Sequence, residues 1–306
     1  MVGALAVTAL LERLQTDWVL GGVAWERSPI DPRPGPRSLD EIRGGRPCGS
    51  AAVLSEGSTT SVDGVEFSES RMATHLGRAT LLLDITRGPH ALATGLAEAA
   101  AELDCDSVIL LDVGGDVLAH GDEPGLASPL CDAVVLAAGV FLGRAAERQG
   151  SPPTRFDGSV IAGVYGPGCD GELTPDEVLE RITALQEADA LLGAWGLSPE
   201  ACELVEAAGE VVPTEASLMA ARCARGERGR VSIRGGRRTV ELTPLGALTF
   251  FFDPLAAVSS AVPLATAVSP AGSLEEAHDA LGAMGIRTEL DLERARAAEI
   301  DAGTRE

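Results

Sequence analysis

VILLDVGGDVLAHGDEPGLASP, residues 108–129, is the stretch on which the reading of this chain turns. Val108, Ile109, Leu110 and Leu111 form an apolar run of the kind that makes a buried parallel strand. The run breaks at Asp112 into Gly114-Gly115, with a second carboxylate at Asp116. Asp122 and Glu123 follow, and a helix is predicted from Ser128, an N-cap residue placed ahead of Pro129. In open α/β sheets, ligands bind just past the carboxyl ends of the strands. A strand that ends in Asp-x-Gly-Gly-Asp places charge and bare backbone there. The same layout recurs at Leu81-Leu82-Leu83-Asp84 and over residues 160–172.

Apolar strands and amphipathic helices alternate on both sides of this stretch. A helix is predicted over 2–14 and a strand over 18–24. A Pro- and Arg-rich loop fills 25–50, long enough to be either a stiff lid or a solvated surface loop. Short strands are predicted at 51–54 and 64–67. Then come strand 80–84, helix 91–103, strand 107–112, helix 129–148, strand 159–165 and helix 175–190. The last helix opens on a Thr174/Glu177 capping box. This alternation predicts an α/β fold: a doubly wound, mostly parallel sheet with helices on both faces. After Gly193 the pattern changes to helices at 199–207 and 214–225, a hairpin around Gly235-Gly236, a strand at 249–253 and helices at 273–283 and 290–300. The expected organisation is a core domain at 1–193 carrying the site and an α+β extension at 194–306 packed on it.

Composition excludes several function classes. The net charge is −22, which repels nucleic acid and anionic membranes. The chain has no lysine, so a pyridoxal phosphate Schiff base, a phosphate-loop lysine and a Ser-Lys dyad are all ruled out. Its six cysteines stand singly, which argues against a zinc ribbon. No G-x-G-x-x-G follows a strand and no G-x-S-x-G elbow surrounds a serine, so neither a nicotinamide enzyme nor a serine hydrolase is expected. No apolar run is long enough to cross a membrane, and the N-terminal residues lack a basic region ahead of an apolar one. The expected location is the cytoplasm.

The strand ends supply the candidate chemistry. Asp84, Asp112, Asp116, Asp170 and Glu172 should converge on one sheet edge, and Glu26 at the end of strand 18–24 joins them. Such a cluster stays ionised only if protons or cations compensate it, and hard cations such as Mg²⁺ or Mn²⁺ select oxygen ligands. Asp112, Asp116 and Asp170 are the expected metal ligands. The alternative is that some of these acids cap helices or close turns. Gly114, Gly115, Gly168 and Gly171 would let backbone N–H groups reach a ligand. His120 or Glu172 would handle a proton, and Arg27 or Arg87 would hold an anionic group. Ser128 lines the same edge, besides capping its helix. Cys169, beside Asp170, is a weaker candidate nucleophile with no histidine near it in sequence. Tyr165, the one tyrosine, reads either as a ligand donor or as a buried strand residue.

GGVAWER at 21–27, DPRPGPRSLDEI at 31–42, LLLDITRG at 81–88, LLDVGGDVLAHGDEPGLASPLCDA at 110–133 and GVYGPGCDGELT at 163–174 together resemble the prokaryotic domain-of-unknown-function family 1152. TEASL at 214–218 and IRGGRRTVELTP at 233–244 extend the resemblance over nearly the whole chain. It implies no tested activity. It does imply a glycine-rich strand-turn ahead of the first helix, an opening that this sequence lacks, so that a sheet edge is left for an oligomeric partner. The leading functional expectation is a metal-assisted enzyme acting on a small polar, possibly phosphorylated, substrate. The alternatives are a non-catalytic ligand-binding or partner subunit and, more weakly, a cysteine-dependent transferase or hydrolase acting through Cys169.

Overall fold

The strand at the centre of the sequence reading runs Ser107–Val113 and pairs in parallel with Ser159–Tyr165, Val113 opposite Tyr165. This pairing belongs to a computed structural model that describes residues 1–149, 159–258 and 260–303. The strand Leu248–Phe252 lies antiparallel beside Ser159–Tyr165, and Leu191–Gly196 pairs antiparallel with Leu248–Phe252. A second four-stranded sheet holds Gly21–Val23 parallel to Thr80–Leu83, with Ala52–Ser55 and Arg46–Pro47 added antiparallel. Two-stranded ladders join Gly229–Ile233 to Arg238–Leu242 and Ile42–Arg43 to Thr60–Ser61.

The fold is therefore mixed α/β. The expected parallel pairings are present, but the strands divide between two four-stranded sheets. Each of these sheets has an outer parallel strand with an unpaired edge among the described residues: Gly21–Val23 in one, Ser107–Val113 in the other. The segment expected as a strand at 64–67 forms only an isolated bridge between Thr60 and Glu66. The expected boundary at residue 193 falls within Leu191–Gly196, and residues 248–252 lie inside the sheet of the core.

Small residues set the packing. The helix Pro129–Gln149 presses Gly139 against Leu110 and Val160, and Gly143 against Leu255. The helix Gly88–Glu102 lays Gly95 on the backbone of Ala51, where a Cβ would collide. Backbones that approach this closely compensate for an aromatic content of 3%. Tyr165 is fully buried in a second core cluster with Leu5 and Met219, and its hydroxyl donates to the Ser217 carbonyl. Its role is thus that of a core strand residue.

The loop at 25–50 is held by charge pairs, some within it and some to the rest of the chain. Arg37 is only 2% exposed; its guanidinium forks onto both oxygens of Asp31 at 2.7 Å and reaches Asp63 at 2.8 Å. Arg33 pairs with Glu41, and Arg46 with Glu102. The helix Glu289–Gly303 closes over the start of the loop, with Glu293 accepting from Trp25 Nε1 and the Gly35 N–H. These arginines meet the chain's own carboxylates. Removing Arg37 would strand the buried charge of Asp31. Arg37→Ala should cost about 3–5 kcal/mol of unfolding free energy in a urea titration. A second replacement, Asp31→Leu, should recover much of that loss. A single-mutant cost under about 1 kcal/mol would contradict the assignment.

Candidate functional site

Two acidic turns meet because their strands run side by side. Asp112 is the penultimate residue of Ser107–Val113, and its Oδ2 accepts the Gly115 N–H at 2.8 Å. Gly114 and Gly115 have φ of +117° and +120°, a conformation that side-chain-bearing residues rarely adopt. They turn the chain so that Asp116 opens a short 3-10 turn, Asp116–Leu118. On the neighbouring strand the chain passes Gly166 and Gly168, both at positive φ, to Asp170 and Glu172. The Gly168 N–H donates to the Gly114 carbonyl at 2.7 Å and locks the two turns together. A Cβ on Gly114 would collide with the Asp170 carboxylate.

A third element completes the cluster. Asp132, in the first turn of Pro129–Gln149, joins Asp112 and Asp116 to form one carboxylate triad. Asp116, Asp170 and Glu172 form another. In each triad the potential ligand atoms lie within 4.8 Å of one another, and Asp116 belongs to both. Asp112, Asp116, Asp170 and Glu172 are buried. A cavity of about 30 Å³, lined by Asp112, Asp132 and apolar residues, adjoins the cluster and has room for about one water molecule.

Burial dominates the electrostatics here. It pushes the carboxyl of Asp112 up to about 6. Burial and the neighbouring charges of Glu172 and Asp112 push that of Asp170 up to about 8. Asp116 and Asp132 lie well above the usual carboxylate range, through burial first and then the charge of Asp112. Glu172 moves the other way. Burial opposes its charge, but Arg238, the Ser128 hydroxyl and the Ala127 N–H hold its carboxyl low. It accepts from Arg238 Nη1 at 2.7 Å, the N–H groups of Ala127 and Ser128 at 2.7 and 2.8 Å, and Ser128 Oγ. Arg234 feels the charges of Glu172, Asp170 and Asp116, although burial and Arg238 lower its own pKa.

The other residues expected at this edge are placed differently. Asp84 closes its own turn, accepting from the Thr86 N–H and hydroxyl and from the Leu39 N–H. Glu26 accepts from the Ser68 N–H and lies beside Glu69, whose carboxyl burial and the Glu26 charge push up to about 8. Arg27 stacks on Trp25 and pairs with Glu289 and Glu293 at 3.4 and 3.3 Å, and its charge also reaches Asp132 in the cluster. Arg87 lines a separate cleft of about 580 Å³ with His90, Thr94 and Ser273. The ring of His120 bonds to the Ala261 carbonyl at 3.3 Å. The N–H groups of Gly114, Gly115 and Gly168 are taken up inside the turns, so these glycines shape the site by their conformation. Cys169 is buried, and its thiol is pushed up by its hydrogen bond to Cys223 and by burial.

The sequence reading missed Asp132, Arg234 and Arg238. Asp132 carries a usable signal, being an acid in the first turn of the helix that starts at this edge. The two arginines come from the hairpin of Gly229–Ile233 and Arg238–Leu242, and nothing in the sequence places that hairpin over the cluster.

The chain belongs to the family described as "Protein of unknown function (DUF1152)", which matches it over residues 1–297. No curated protein and no solved structure matches the chain.

The raised carboxyls make stability depend on pH. A carboxyl that titrates higher in the folded than in the unfolded chain stabilises fully below the unfolded pKa, and that contribution is lost as pH rises through the folded value. With folded values of about 6 for Asp112 and about 8 for Asp170, the metal-free protein should melt progressively lower from about pH 5 to about pH 8. Calorimetry in chelator-containing buffer measures this. A melting temperature that stays level over that range would contradict the clustering.

Proposed function

We propose that this member of the family is a divalent-cation-dependent enzyme acting on a small, phosphorylated polar substrate. The supporting observation is the pair of carboxylate triads that share Asp116. All four aspartates have raised carboxyl pKa values, so the cluster is electrostatically unbalanced in the absence of a cation. Glu172 already accepts four hydrogen bonds, and no hydrogen bond competes at Asp132 among the described residues. Asp112, Asp116 and Asp132 are therefore the preferred cation ligands. An all-oxygen site suits Mg²⁺ or Mn²⁺. Such a cation would polarise a phosphoryl or carbonyl oxygen and lower the pKa of a bound water.

The chain supplies the rest. Arg234, which makes no ion pair among the described residues, binds the anionic part of the substrate, and Arg238 holds Glu172 in place. Asp170 borders the triad and is positioned to hold and release a proton. The expected sign is clear in a thermal-shift assay. Mn²⁺ or Mg²⁺ at saturating concentration should raise the melting temperature by about 5 °C. Asp116→Ala and Asp132→Ala should abolish the rise, while His120→Ala should keep it. An unchanged rise in an Asp116→Ala protein with native circular dichroism would defeat the assignment.

A second reading is favoured by the unpaired strand edges. Gly3 lies where a Cβ would be 2.9 Å from Val113, and Met1 lies 3.2 Å from the Cβ position of Gly22, so residues 1–3 sit between the two sheets. A strand from a partner chain that entered there would pair with Gly21–Val23 and Ser107–Val113 and merge both sheets into one doubly wound sheet. In that case the chain works as a subunit of an oligomer. Sedimentation should then show a complex at micromolar concentration. A monomer that retains the cation response would leave the enzyme reading alone.

A further inference from the structure

Gly246 marks the place where two cysteines meet. A Cβ on this residue would lie 2.8 Å from the sulfur of Cys169 and 2.8 Å from that of Cys223. The Cys169 thiol donates to the Gly246 carbonyl at 3.9 Å, and both cysteine side chains are buried. Cys169 sits in the turn that carries Asp170 and Glu172. Cys223 sits at the end of the helix Ala216–Ala224, where exposed chain begins two residues later at Arg225. Neither forms a disulfide. The remaining four cysteines lie elsewhere, and none shares such a contact point.

We propose that Cys169 and Cys223 are an oxidation site, at which a peroxide converts the pair into a disulfide joining the acidic turn to the helix Ala216–Ala224. Cys223 is the attacking sulfur. Arg228 and Arg222 place positive charge beside it, and Arg228 also donates to the Cys223 carbonyl at 2.8 Å. The exposed chain at Arg225 is the side from which a small oxidant approaches. The Cys223 thiolate displaces hydroxide from hydrogen peroxide: an S–O bond forms, the O–O bond breaks, and the hydroxide takes a proton to become water. The Cys169 sulfur then attacks the sulfenic sulfur of Cys223. The S–O bond breaks, the S–S bond forms, and the leaving hydroxyl departs with the Cys169 proton as a second water. Two thiols are oxidised and one peroxide is reduced.

Gly246 has no side chain, which leaves room for the sulfurs to meet, and the bond would tether the turn that carries Asp170 and Glu172. The test is mild hydrogen peroxide treatment of the full chain, then alkylation in denaturant and peptide mapping without reduction. The expected product is one cross-linked pair of peptides containing Cys169 and Cys223, lighter by two hydrogens and restored by dithiothreitol. Cys223→Ser and Cys169→Ser, each nearly isosteric and checked for native circular dichroism, should each lose the cross-link completely. Full alkylation of both thiols in the peroxide-treated wild type would overturn the proposal. So would oxidation of Cys223 to its higher acids with no cross-link.

Discussion

The parallel register of Ser107–Val113 on Ser159–Tyr165 is the constraint on which the site depends. Setting Val113 opposite Tyr165 makes both strands end at the same height, so the turns that follow have one space in which to fold. Gly114 and Gly168 let them do so, one at φ +117° and the other at φ +76°. A slip of one residue would reverse the facing of Asp112 and carry it away from Asp116 and Asp132. The apolar strand run, the glycines and the acids are thus a single device. The backbone pairing fixes where the charge accumulates.

Charge balance then divides the cluster into two parts. Glu172 is fully solvated by protein, with two backbone N–H groups, a hydroxyl and Arg238 around it, and it behaves as an ordinary buried ion pair. Among the described residues, none of the four aspartates has an arginine ion pair like that of Glu172. Buried carboxylates normally come with partners, and the departure from that rule here falls at a strand end, where α/β folds hold ligands. Perturbed acids in such a position carry more functional weight than the same acids would on a surface. The arginines of the long Pro-rich loop show the contrasting case. Arg37 is buried, but it is fully paired, with Asp31 inside the loop and Asp63 beyond it.

Much of this was legible in the sequence, and the exceptions have physical causes. Asp112 could be read because it ends an apolar strand, and Asp116, Asp170 and Glu172 because each follows such a strand by a short glycine turn, so local pattern and tertiary position coincide. Asp84 and Glu26 carry the same local signal but belong to the other sheet, and sheet membership is decided by pairing that no local window contains. Leu191–Gly196 escaped notice because Gly193 and Gly196 weaken its strand character, while its pairing with Leu248–Phe252 supplies the stability. The helix Ser68–Leu76 escaped because its residues are mostly polar, with Met72 and Ala73 as its buried apolar contacts. Arg234 and Arg238 reach the cluster through long-range packing, which sequence spacing does not report.

Glu289 accepts the N–H groups of Leu130 and Cys131 at 3.0 and 2.8 Å, and so caps the helix that carries Asp132. The donors and the acceptor lie 159 and 158 residues apart in sequence. During synthesis, the strands and turns of the cluster leave the ribosome long before Glu289 does, by roughly ten seconds at ordinary translation speeds. Throughout that interval the site helix has an uncapped first turn and the aspartates have an incomplete surround. The site is therefore assembled late in the life of the nascent chain, and a premature stop near the final helix would release a protein whose sheets can form but whose acidic centre cannot close.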